Sequence, residues 1–78
     1  MDYKIARMIG RNMRKVRTAN NYSINDLAVL LCKTQQVISM YENGHKTFPL
    51  EYILKVCEIF HLTPNQMFGY ERLPKKYR

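Results

Sequence analysis

The chain has 78 residues, with thirteen Lys/Arg against six Asp/Glu for a formal charge of +7, and 46% of it is hydrophobic. That composition suffices for one small globular domain and excludes bulk disorder, and its apolar runs fall far short of the roughly 20 residues a bilayer span needs. The charge favours an anionic partner, with nucleic acid ahead of a membrane surface.

Residues 3 to 20 read as a first helix, because Ile5, Ile9, Met13 and Val16 recur at spacings of four, four and three. Asp2 stands where a cap is needed. Lys4, Arg7, Arg11, Arg14, Lys15 and Arg17 follow with no acid among them. A solvated face accounts for Lys4, Arg7 and Lys15, whereas Arg14 and Arg17 lie close enough to the coming turn to reach a phosphate or an internal acid. Lys4, Arg7 and Arg11 also interrupt any signal-peptide layout, so a cytoplasmic protein is expected. Asn20-Asn21 is a helix stop, since asparagine accepts the left-handed conformation.

Ser23 opens a second helix with Asp26 three residues on, a shortened relative of the capping box. Leu27, Ala28 and Leu31 form its inner face, and Cys32-Lys33 is the turn that follows. The third helix begins at Thr34, whose hydroxyl suits the N-cap position. Val37, Ile38 and Tyr41 make its buried side, and the opposite side carries Gln35, Gln36, Ser39 and Met40. Asn43-Gly44 closes it. Short helix, tight turn, short helix is the helix-turn-helix layout, in which the second of the pair enters the major groove.

Pro49 marks the entrance to a fourth helix with a stripe of Leu50, Ile53, Leu54, Cys57 and Phe60. His61 at its end reads as an exposed cap-region histidine. Thr63-Pro64-Asn65-Gln66 starts a short fifth helix, with Thr as cap, Pro at the first position and Gln three after the cap. Gly69 stops it. Residues 1–69 thus form the domain, and 70–78 are a basic tail expected to fray. Cys32 and Cys57 have no CxxC and no histidine at ligand spacing, so they read as free thiols in a reducing cytosol and no metal or other cofactor is expected.

These residues resemble the Cro/C1-type (Xre) helix-turn-helix family, closest in motif to lambdoid phage repressors. Leu27-Ala28 with Leu31, then Thr34-Gln35-Gln36 with Ile38-Ser39, then Glu42-Asn43-Gly44, carry the likeness, which covers about residues 5 to 68. The resemblance implies an all-α, compact five-helix bundle that binds operator DNA as a two-fold dimer. It also implies an ion pair between Arg17 and Glu42, which either orients the third helix and presents Arg17 to a phosphate or is a scaffold contact only. The chain departs from the family pattern in four places. Ile24 replaces a frequent glutamine, Cys32 the usual turn glycine, and Met40 a common Gln or Arg, while Lys46 and Phe48 stand where later arginines and a polar residue are usual.

Glutamine pairs bidentately with adenine, so Gln35 and Gln36 are the leading base contacts. Ser39 allows close groove approach, and Met40 suits a thymine methyl. Arg14, Arg17, Ser23, Lys33, Thr34, Asn43 and Lys46 surround them as phosphate candidates, which set register without reading sequence. Leu62, Met67, Phe68 and Tyr70 cluster within nine residues and are the candidate dimer surface, two or more of the first three also filling the bundle's end. The sequence offers no nucleophile–base–acid grouping and no glycine loop for a phosphate, so no enzyme activity is expected. A bacterial or phage-encoded regulator, nucleoid-associated when bound to double-stranded DNA, with no membrane partner and no evident small-molecule ligand, is the leading reading. A repressor comes first. A controller-type activator or autoregulator, an antitoxin or partner-binding module, and more distantly an RNA binder, are the alternatives.

Overall fold

A computed structural model describes residues 3–78 of the chain, so the proposed Asp2 cap lies outside the described residues. Five α-helices follow in order: α1 (Tyr3–Ala19), α2 (Ile24–Leu31), α3 (Gln35–Glu42), α4 (Leu50–Phe60) and α5 (Pro64–Phe68), then a 3-10 turn at Lys75–Tyr77. None of these is long and apolar enough to cross a membrane.

Local chemistry sets the helix ends. At the end of α1, Asn21 takes a φ of 60° and the Tyr22 N–H returns to the Arg17 carbonyl at 3.0 Å, a left-handed helix stop. Ser23 and Asp26 make a full reciprocal box: the Ser23 Oγ accepts from the Asp26 N–H at 3.0 Å, and Asp26 Oδ2 accepts from the Ser23 N–H at 2.8 Å. Those bonds hold the Asp26 carboxyl below its ordinary pKa, the bond from the Ser23 backbone contributing most. Thr63 and Gln66 repeat the box at α5, with Pro64 in the first turn. Cys32 ends α2 with φ at 55°, so the residue that replaces the usual glycine does adopt the left-handed turn. At the end of α3 the left-handed residue is Gly44, at φ 78°, while Asn43 stays right-handed.

Met13, Val16, Leu27, Leu31, Ile38, Val56 and Met67 form the fully buried centre. Two stripes read from the sequence sit differently in the fold. On α1 the buried row is Ala6, Ile9, Met13 and Val16, and Ile5 is exposed. Alanine carries little hydrophobic signal, so the row's true first member was the less conspicuous neighbour. On α4 the buried row is Ile53, Val56, Cys57 and Phe60, leaving Leu50 and Leu54 at 60% and 46% exposure. The helix is rotated toward Val56, because the core's shape and not the count of leucines decides which face turns in. Burial raises the pKa of the Cys57 thiol, consistent with an inert core cysteine.

The expected frayed tail is packed instead. Leu73 and Tyr77 are buried, Asn20 Nδ2 donates to the Tyr77 hydroxyl at 3.0 Å, and Arg78 Nε donates to the Leu73 carbonyl at 2.8 Å. Two apolar side chains separated by a proline make no periodicity, so their destination depends on the flank of α1 that receives them. Asn12 supports the same side, its Nδ2 donating to the Met67 carbonyl at 2.9 Å.

One glycine sets how closely two helices approach. A methyl group at Gly10, in the middle of α1, would lie 2.5 Å from the carbonyl oxygens of both Tyr41 and Glu42. The last turn of α3 therefore rests directly on the α1 backbone.

Two stability measurements follow. Alanine is the better helix former by about 1 kcal/mol, yet Gly10→Ala should destabilise by about 1–3 kcal/mol through overpacking against α3. Chemical denaturation that found the variant equal or more stable would separate the two helices. A chain ending at Gly69 should lose about 3–6 kcal/mol, from two buried side chains worth roughly 1.5–3 kcal/mol each. An unchanged melting temperature would return the tail to the frayed state.

Candidate nucleic-acid interface

The face of α3 is built from its cap outward. Thr34 Oγ1 accepts from the Val37 N–H at 3.2 Å and fixes the first turn. Ile38 and Tyr41 then go inward, Val37 packs at the core's edge, and Gln35 and Gln36 stand exposed with Ser39 and Met40 half-buried one turn on. The only acid on the helix, Glu42, is buried. What faces outward is thus uncharged, with amide, hydroxyl and thioether groups and no carboxylate to repel a phosphate.

Arg17 removes the charge of Glu42 from that surface. Its Nε donates to Glu42 Oε2 at 2.7 Å and its Nη2 to Glu42 Oε1 at 3.0 Å, while Nη1 donates to the Tyr22 carbonyl at 2.7 Å. The two side chains are 9% and 4% exposed. One guanidinium therefore joins the end of α1, the connection into α2 and the end of α3. Each of its three nitrogens already donates one bond, and the side chain is 9% exposed, so burial leaves the two remaining N–H groups little room for the phosphate contact expected of Arg17. Its place is as an orienting residue behind the surface.

The other phosphate candidates surround α3 at different distances from commitment. Ser23 and Thr34 each accept a cap bond, and each exposed hydroxyl keeps its proton to donate. The Lys33 ammonium lies 5.0 Å from the Tyr52 ring centre, and a hydrogen bond to Tyr52 followed by charge attraction raises its pKa. Lys46 is exposed on a loop whose base is pinned: Phe48 is buried against Tyr41, ring centres 4.5 Å apart, and the His45 N–H donates to the Met40 carbonyl at 2.9 Å. The apolar Phe48, out of family pattern in a loop, is what anchors Lys46. Asn43 is exposed at the end of α3, its Nδ2 3.5 Å from Ser39 Oγ, and Arg14 is exposed on α1.

A residue not singled out from the sequence completes the face. Asn25, on the exposed side of α2, accepts at Oδ1 from Gln35 Nε2 at 3.1 Å. The bond selects one orientation of the Gln35 amide and leaves its oxygen and second N–H free. An exposed asparagine early in the helix preceding α3 was the available signal, but only the packing of α2 on α3 brings the two amides together.

Of the candidate dimer residues, Leu62 and Met67 belong to the core, Phe68 is half-buried, and Tyr70 is 80% exposed. Burial therefore withdraws Leu62 and Met67 from any surface role. Ile5 and Met8 of α1 stand beside the remaining pair, and with Gly69 they line a shallow apolar hollow.

The family description Helix-turn-helix matches residues 13–66, from the middle of α1 into α5. The chain belongs to the Cro/C1-type helix-turn-helix family. No curated protein matches it. As a family member it is a DNA-binding transcription regulator, and α2, the turn and α3 have the helix-turn-helix arrangement.

The Arg17–Glu42 contact has a measurable signature. Arg17→Met or Glu42→Gln should each cost about 3–5 kcal/mol, since either leaves a buried group without its partner. The double variant should cost clearly less than the sum, because touching residues are not independent. Additive losses in a double-mutant cycle would mean that the two do not interact.

Proposed function

We propose that the protein is a repressor of phage or mobile-element type that occupies a palindromic operator as a homodimer. The observation that carries this reading is the outward face of α3. It presents Gln35, Gln36, Ser39 and Met40 on a helix fixed by a cap at one end and a buried ion pair at the other. Gln35 and Gln36 read adenine edges, each good bidentate pair worth about 1–3 kcal/mol of discrimination. Met40 packs on a thymine methyl, and Ser39 keeps the approach close. Ser23, Lys33, Thr34, Asn43, Lys46 and Arg14 hold phosphates and set the register. Repression needs only occupancy of a promoter and no catalytic step or cofactor.

One such helix covers too few base pairs to be specific alone, which is the argument for a dimer. Tyr70 and the open part of Phe68, extended by Ile5 and Met8, form the self-complementary patch. Its small size supports a weak dimer in solution that DNA completes.

Selection of bound sequences from a random duplex pool is the deciding experiment. Two inverted half-sites with centres about 10 base pairs apart are expected; a lone half-site bound as tightly as a pair would remove the dimer. On the selected operator, Gln35→Ala or Gln36→Ala should relax preference at one or two positions by about 1–3 kcal/mol. Lys46→Ala should weaken binding equally on all sequences and lower the salt slope by about one. Identical effects of the two kinds of change on every duplex would contradict the assigned roles.

A further inference from the structure

Two arginines of α1, Arg7 and Arg11, have no role in the contacts described so far, and Arg14, already placed among the phosphate contacts, stands in line with them. Arg7, Arg11 and Arg14 follow at spacings of four and three, which puts them in one row on the helix. All three are exposed, and together with Glu42 and Asn43 they line a single hollow of about 210 Å³ at the C-terminal end of α3. The position of that row relative to α3 is fixed by close backbone packing. The carbonyl oxygens of Tyr41 and Glu42 rest on Gly10, and Gly44 is packed against the Cα and Cγ of Arg7.

The hollow is strongly cationic. Its one acid, Glu42, has both oxygens bonded by Arg17 and is withdrawn from solvent. No hydrogen bond or ion pair holds any of the three guanidinium groups among the described residues. Like charges one turn apart repel by a few tenths of a kcal/mol per pair. The negative end of the α3 dipole favours a cation nearby, yet one cation within reach of the last turn suffices for that. Three on one row, exposed and unpaired, offer a concentrated cationic surface to an anion from outside.

The place of the row says which anion. Gln36, Ser39 and Asn43 follow one another along the exposed side of α3, and Asn43, the last of them, is a wall of the hollow. A helix lying in the major groove has a phosphate strand along each edge of the groove. Beyond its final turn, the next groups met are phosphates, and the planar fork of arginine matches their geometry.

We propose that Arg7, Arg11 and Arg14, with the Asn43 amide, form a clamp for the DNA phosphate backbone at the C-terminal edge of α3. The clamp rests on the DNA-binding role of α3 and extends the contact surface onto the first helix. It adds affinity and register, and it reads no base.

The test compares the full chain with Arg7→Gln, Arg11→Gln, Arg14→Gln and the triple variant, titrated against the selected operator and an unrelated duplex over a range of sodium chloride. Each single change should lower the salt slope by about 0.9 for each bound protomer, and the triple change by nearly three per protomer, with affinity near 0.15 M salt falling by at least about a hundredfold on both duplexes. Base preference should stay as it was. A control that removes three charges elsewhere, at Lys55, Lys75 and Lys76, should leave the slope almost unchanged. If the triple variant fails to fold, the three single slopes carry the test. Unchanged slopes, or a fall no larger than that of the control, would overturn the clamp. Gln36→Ala separates this from failure of the underlying reading: loss of base preference there with no effect of the arginines rejects only the clamp, whereas no effect of either rejects the placement of α3 on DNA.

Discussion

A single guanidinium decides the geometry on which everything else depends. Arg17 bonds both oxygens of Glu42 and the Tyr22 carbonyl, so the end of α1, the connection that follows it and the distant end of α3 meet at one planar group. A buried ion pair contributes little net stability, because desolvation of both charges offsets their attraction. Its effect here is directional. The paired N–H groups of the guanidinium donate to the carboxylate oxygens in one plane only, which fixes the end of α3 relative to α1. The same bond takes the only negative charge on α3 away from that helix's exposed face.

Gly10 and Phe48 serve the same end by steric means. The glycine lets the last turn of α3 sit on the α1 backbone, and the phenylalanine seats the loop that follows α3 against Tyr41. A domain of this size gains only about 3–5 kcal/mol from its core, so few contacts are available to hold a reading surface rigid. Those few converge on the C-terminal end of α3. The cap at Thr34 holds the other end, and Asn25 then aligns the first exposed side chain of the helix, Gln35. Exposed amides on a firmly held helix lose less entropy on binding than amides on a mobile one.

Substitutions away from the family pattern find physical explanations. Cys32 adopts the left-handed conformation that glycine supplies more cheaply, and the turn between α2 and α3 keeps its course. Ile24 gives up a polar side chain at the start of α2 and packs against the core instead. The polar partner for α3 comes from the next residue, Asn25. Phe48 exchanges a polar loop position for an anchor.

Much of the fold was legible because its signals are local. Ser23 with Asp26, Thr34, Thr63 with Gln66, and the stops at Asn21 and Gly69 each act within a few residues, through bonds between a side chain and the nearest backbone. The spacing of the exposed α3 residues, and hence the candidate reading face, follows from the same short-range rule. The rest depended on what lies across the fold. Leu50 and Leu54 belong to an apolar stripe by spacing yet face solvent, since the core accepts Val56. Leu73 and Tyr77 have no periodicity and find their place only because α1 offers a flank and Asn20 a donor. Leu62 and Met67 turn inward while Tyr70 turns out, a division that hydrophobicity alone does not make. Gly10 reads as a weak point in a helix until the carbonyls of α3 are laid against it. Helix limits and caps are therefore properties of the sequence, because they arise between near neighbours. Which faces are buried, which arginine is spent inside and which remain outside are decided by tertiary packing, because those outcomes depend on groups distant in the chain.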